Sequence, residues 1–188
     1  MDKMKRFILA SASPRRRDIL KREGFSFEVI PSDKEGEDFG GYPEKLAVEK
    51  AIVKAEDVFG REGKGAVVLG ADTVVFFDGR IIGKPADAKE AEKTLKTLSG
   101  NTHEVVTGYA LIAEGRRKTG FCVSKVEFND LSEETIRDYI ASGLWKGKAG
   151  AYGIQDGFPL VKGYEGDRDN IVGLPVGEIK ESIEEFLK

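Results

Sequence analysis

The chain has 188 residues, enough for one domain or two small lobes, and its composition, 40% hydrophobic and 34% charged, is that of an ordinary soluble globular protein. A net charge of −3 argues against a dedicated nucleic-acid binder, which is usually basic, and no stretch approaches the roughly 20 apolar residues of a membrane span. One cysteine and one histidine exclude an internal disulfide and a Cys/His zinc set.

In chain order, MDKMKRFILA holds too short an apolar run for a signal peptide, so the expectation is a cytoplasmic protein. RFILA (6–10) reads as a strand leading into a helix from Pro14 to about Glu23, with Ser13 as N-cap, Pro14 at the first helical position and Gly24 as stop. Arg15 and Arg16 then fall in the first turn, where the helix dipole already places roughly half a positive charge. Either they point into water at a cost of a few tenths of a kcal/mol, or an anion sits at the helix start and binds arginine and free backbone N–H groups.

FSFEVI (25–30) reads as a second strand, and PSDKEGEDFGGYP after it as a polar loop of the kind that carries function. From Glu44 to about Phe59 the pattern is helical, with Leu46, Ala47, Ala51, Ala55 and Val58 on one arc. GAVVLGADTVVFF, a DG turn and RIIG form a strand and a short return strand, and DAKEAEKTLKTLSG forms a helix. HEVVTGYALIA and KTGFCVSKVEF, joined by EGRR, predict a long hairpin that carries Cys122 as a buried structural thiol. SEETIRDYIASG and VGEIKESIEEFLK are the last two helices. Without repeats or linkers, one α/β unit with a mixed sheet is the economical architecture.

No P-loop, GxSxG elbow or GxGxxG after a strand is present. His103, between helix and strand, is read as a structural hydrogen-bonder. Asp72 is an acid inside a strand-length apolar run, where an unpaired charge costs several kcal/mol. It is either tied to a neighbouring lysine or amide, or it is a metal ligand or general base facing a cleft. Lys84, between Gly83 and Pro85, is held on a defined loop, and Lys50 stands at the margin of the apolar arc of its helix. In GLWKGKAGAYGIQDG (143–157), five glycines permit close backbone approach, and Gln155 has both a donor and an acceptor for a planar ring. Cations, hard carboxylates and an amide reader match the phosphate, metal and base of a nucleotide.

Seven segments, LASASPRRRDIL, LAVEKA, GADTVV, GKP, LSGNTHEVVTG, KAGAYGIQ and NIVGLP, run in order from residue 9 to residue 175. Through them the chain resembles the Maf family of nucleoside triphosphate pyrophosphatases, first known as septum-formation inhibitors. The resemblance implies an elongated α/β fold with a mixed sheet flanked by helices and a central cleft, related to the inosine-triphosphate pyrophosphatases, as a single domain of two lobes. It implies hydrolysis of a nucleoside triphosphate to monophosphate and pyrophosphate with a divalent cation, Mg²⁺ or Mn²⁺. Residue by residue, Asp72 falls on the family's catalytic acid/base, and Arg15, Thr73 and Gln155 on positions linked to substrate choice. Arg16, Lys50 and Lys84 fall on phosphate-facing basic positions. By the same resemblance Lys148 and Gln155 are substrate-binding positions, and GLWKGKAGAYGIQ, which carries both, is similar to the branch acting on dTTP and UTP. PSDKEGED has no clean match to the family's Asp-Glu pair, so Glu35 is assigned, with Asp72, as the metal carboxylate, and Glu37 is next in line. The implied partner is the nucleotide alone, with neither nucleic acid nor membrane, and a homodimer is the candidate assembly. The alternatives are a non-catalytic nucleotide-binding regulator of division and a purine-type ITP/XTP pyrophosphatase.

Overall fold

The structure is a computed structural model and describes residues 5–38 and 41–188. Residues 1–4, part of the segment read as too short for a signal peptide, lie outside it. β1 (Arg6–Leu9) leads into α1 (Pro14–Arg22), where the Ser13 hydroxyl accepts from the Arg16 N–H and Pro14 takes the first turn. There follow β2 (Glu28–Val29), α2 (Pro43–Glu62), β3 (Ala66–Phe77), β4 (Arg80–Ile82), α3 (Ala88–Leu98), β5 (Thr102–Ala113) and β6 (Arg116–Phe128). The chain closes with α4 (Glu133–Ser142), β7 (Val161–Glu165), α5 (Arg168–Val172) and α6 (Val176–Leu187).

Among the described residues seven strands form one mixed sheet in the order β2-β1-β3-β5-β6-β7, with β4 on β3. β1 pairs in parallel with β2 and β3, and the remaining pairings are antiparallel. Alternation along β3 sends Val67, Leu69 and Ala71 into a core with Ile19, Leu20, Ile179 and Phe186, and Ala66 and Val68 into a core under α2. A third core joins α3 and α4 to Val75, Val105, Val126 and Phe128. Helix α2 lies very close to the sheet. A Cβ at Gly70 would come within 2.3 Å of the Ala51 carbonyl oxygen, and one at Gly108 within 2.2 Å of the Ala47 backbone. Only glycines facing an alanine stripe permit that approach.

Several expectations are adjusted. Of FSFEVI only Glu28–Val29 pair with β1, because Phe25 and Phe27 turn onto Phe7 and make edge contacts there. Arg116 and Arg117 belong to β6, since Glu114 and Gly115 alone make the turn. Cys122 lies in β6 but is only partly covered; burial, with Glu178 nearby, pushes its thiol up to about 11. β7 and α5, five residues apiece, are additions the sequence pattern did not suggest.

The registers create the site. β5 covers one edge of β3 from Val68 to Phe76. On the other edge β1 stops at Leu69 and β4 begins at Val75, which leaves the middle of β3 unpaired. The gap lies at the carboxyl end of the parallel strand β1, where open α/β sheets characteristically bind ligands.

Candidate active site

A cleft of about 360 Å³ opens at that gap. Because the edge of β3 is bare there, side chains from both faces of the sheet reach it: Asp72 from the α2 side, Thr73 from the other. The lining carries six cationic side chains, Arg15, Arg16, Lys54, Lys84, Lys146 and Lys148, against two carboxylates, Glu35 and Asp72. A chain of net charge −3 thus concentrates positive charge in one concavity.

Asp72 is buried, and its Oδ1 accepts from Lys54 Nζ at 2.6 Å. Among the described residues, its Oδ2 has no hydrogen-bond partner. The sequence reading missed Lys54. Its signal was present: it stands three residues after Ala51 and four before Val58, on the buried arc, where a lysine requires a partner. Lys54 Nζ also lies 3.6 Å from Glu35 Oε2, so the ammonium bridges both carboxylates. Glu35 lines the cleft and Glu37 does not. Lys50, one turn before Lys54, is outside the lining and pairs with Asp38 at 2.6 Å.

The two arginines of α1 differ. Arg16 is buried and donates from Nε to the Gly173 carbonyl (2.7 Å), from Nη1 to Ser11 Oγ (3.0 Å) and from Nη2 to Thr73 Oγ1 (3.0 Å). It therefore fastens the β1–α1 turn to β3 and to the chain after α5 while keeping its charge under the cleft. Burial is the main force on that guanidinium and brings its pKa down to about 10, with Asp72 opposing. Thr73 in turn shares a 2.8 Å hydrogen bond with the Thr107 hydroxyl. Among the described residues Arg15 makes one hydrogen bond, Nη2 to the Gly147 carbonyl at 3.3 Å, and it is half-buried, which lowers its pKa. Lys84 has no ion pair or hydrogen bond among the described residues; burial, then the nearby Lys54 charge, lowers its pKa.

The glycine-rich loop forms the facing wall. Gly150 N–H donates to the Gly83 carbonyl at 3.1 Å, tying this wall to the loop of Lys84. Lys148 reaches the lining, yet its Nζ is held by Asp156 Oδ1 at 2.5 Å. Gln155 lines the cleft, is exposed, and has no hydrogen-bond partner among the described residues. Tyr152 closes the loop from behind, its hydroxyl 2.7 Å from His103 Nε2. His103 is buried beside Phe128 and Tyr152, and burial brings its pKa down to about 4, so it is neutral and stands behind the wall.

The donors for a metal ion are two carboxylates. Among the described residues no cluster of three or more His, Cys, Asp or Glu exists. That set fits Mg²⁺ or Mn²⁺, which take one or two carboxylates and complete their shell with substrate phosphates and water, and does not fit a metal needing an all-protein cage. No helix among the described residues is long and apolar enough to cross a membrane.

The sequence profile of the family described as Maf-like protein matches residues 6–186. A dTTP/UTP pyrophosphatase of Thermococcus gammatolerans is 49% identical over 170 residues, 90% of each chain. A dTTP/UTP pyrophosphatase of Bacillus cytotoxicus is 43% identical over 186 residues, 97% of this chain and 96% of that one. A HAM1 protein of known structure from Coxiella burnetii shares the fold at a TM-score of 0.55 and 18% identity, covering 97% of this chain and all of that one.

Proposed function

This chain belongs to the Maf-like protein family, and from that membership we propose that it is a dTTP/UTP pyrophosphatase, releasing the nucleoside monophosphate and pyrophosphate. The observation that carries the reading is the cleft's charge inversion: six cations around two carboxylates suit a polyanion that arrives with a divalent cation. The anion that offsets the arginines at the start of α1 is then the triphosphate.

Asp72 is the base. Its Oδ1 is held by Lys54, which fixes the carboxylate plane and leaves Oδ2 for a water molecule. Water attacks the α-phosphorus, its proton passes to Asp72, and the bond to the oxygen bridging the α- and β-phosphorus breaks with departure of pyrophosphate. Lys84, without a partner among the described residues, and Arg15, lightly held, supply mobile cations to the phosphates; Arg16 supplies fixed charge from beneath. Glu35 and Asp72 would hold the divalent cation, which supplies charge neutralisation on the leaving pyrophosphate. Lys54 must then yield the Glu35 side of its bridge. Gln155 faces the base: a carboxamide matches the adjacent carbonyl and imide N–H of uracil and thymine, whereas cytosine offers an amine and a bare ring nitrogen. A cytoplasmic location, with access to the nucleotide pool, accompanies this reading.

Hydrolysis of dTTP in ¹⁸O-labelled water tests the chemistry. Label in the monophosphate, with unlabelled pyrophosphate, is expected. Label in orthophosphate or pyrophosphate, or nucleotide binding without turnover, would overturn it.

A further inference from the structure

The turn that carries Gln155 is held by a carboxylate that is not itself in the cleft. Asp156 is 5% exposed at its side chain and absent from the lining. Both of its oxygens are engaged: Oδ1 accepts from Lys148 Nζ at 2.5 Å, and Oδ2 accepts from the Tyr139 hydroxyl at 2.6 Å and from the Gly153 N–H at 2.8 Å. Its own N–H donates back to the Gly153 carbonyl at 3.1 Å, so the turn 153–156 is closed from both ends. The closure needs glycine: a Cβ at residue 153 would come within 2.6 Å of Gln155 Nε2 and 2.7 Å of Asp156 Oδ1. Gln155, lying over that glycine without a hydrogen bond of its own among the described residues, is located by the turn alone.

We propose that Asp156 is the positioning residue for base selection, setting the Gln155 carboxamide at its angle to the pyrimidine edge while touching no substrate itself. The inference rests on the reading of Gln155 given above and adds the device that aims it. Lys148, the residue expected to bind substrate, then serves as the counter-ion of the aiming carboxylate. A buried ion pair is seldom a net gain in stability over apolar side chains of the same shape. A pair of this kind, anchored to α4 through Tyr139 and standing one residue from the base reader, is explained by what it orients. The same loop is fastened to the phosphate side by Arg15 on the Gly147 carbonyl and by Gly150 on the Gly83 carbonyl. Base edge and triphosphate are thereby set in one frame, and a displacement of about 1 Å in such a frame is enough to cost on the order of a hundredfold.

The test compares kcat and KM for dTTP and dCTP in the wild type, Gln155→Ala, Asp156→Asn and the double variant. Asp156→Asn keeps the shape and loses the charge that holds Lys148. Expected is a rise of about tenfold in KM for dTTP with kcat within about threefold, and a fall of about tenfold in the preference for dTTP over dCTP. In the double variant the preference falls no further than in Gln155→Ala, as for two residues acting through one contact. Wild-type preference in Asp156→Asn, or losses that multiply in the double variant, overturn the role of Asp156 while leaving Gln155 as the reader. A preference untouched in Gln155→Ala overturns the reader and this inference together. Should Asp156→Asn not fold, Tyr139→Phe removes one of the three bonds on Asp156 within the same shape; a smaller loss of preference in the same direction supports the role, and none overturns it.

Discussion

The two walls of the cleft are built on different principles. On one, Asp72, Thr73, Lys54 and Arg16 stand on a strand and two helices, and backbone pairing sets where they point: the β3–β5 register places Asp72 opposite Gly108 and Thr73 opposite Thr107. On the other, residues 143–157 contain only a three-residue 3-10 turn of regular structure, and side-chain bonds hold the loop in place, chiefly Lys148–Asp156, Tyr139–Asp156 and His103–Tyr152. A wall located by its backbone can lose a catalytic side chain and keep its shape. A wall located by side chains cannot, so its mutations should change stability and substrate choice together.

The sharpest test of the backbone-built wall is Asp72→Asn. Turnover should fall by about a hundredfold to ten-thousandfold, the range for losing a general base. Lys54 keeps the Glu35 carboxylate at 3.6 Å as a counter-charge, so the melting temperature, as read by circular dichroism, should fall by less than in a variant that leaves a buried charge with no partner. Turnover near that of the wild type would remove Asp72 from the mechanism. On the loop-built wall, Lys148→Met leaves the Asp156 carboxylate buried without its cation, and urea unfolding should register a loss of about 3–5 kcal/mol. An unchanged midpoint would mean that Lys148 is free to bind substrate.

The loop wall should also weaken in acid. His103 has a pKa of about 4 when folded against an ordinary value near 6.5, so between those values the unfolded chain binds the extra proton. Its contribution is complete above about pH 6.5 and declines as the pH falls toward 4, by roughly 3 kcal/mol in all. Urea titrations at intervals from pH 7 to 4 should show a shallower decline in His103→Gln than in the wild type; parallel curves would contradict the assignment. The smallest effect is expected at Lys84. With no partner to lose among the described residues, Lys84→Ala should raise KM for the triphosphate by about tenfold at unchanged or slightly raised thermal stability. A marked destabilisation would show that Lys84 is structural after all.

The same contrast decides what could be read from sequence. Regular elements announce themselves through caps and periodicity: Ser13–Pro14, the alanine arc of α2 and the apolar run around Asp72 led to the elements that the structure has. Lys54 was also legible, as a lysine on a buried helical arc, but Lys50 at the margin of that arc drew the reading instead. The bare edge of β3 was not legible, because it exists only through the registers of β1 and β4 with a shared neighbour. Nor was the partner of Lys148. Asp156 follows it by eight residues in a segment without periodicity, and only the fold of the turn around Gly153 brings the two together. β7 and α5 were too short and too polar to stand out.

The central claim, that this cleft is a pyrophosphatase site selective for uracil and thymine, is tested most directly by pyrophosphate release from a panel of dTTP, UTP, dCTP, CTP, dATP, dGTP and ITP under one set of conditions. The account predicts that dTTP and UTP lead every other substrate by about tenfold or more, with monophosphate and pyrophosphate formed in equal amounts. Comparable rates across the panel, or ITP in the lead, would contradict it.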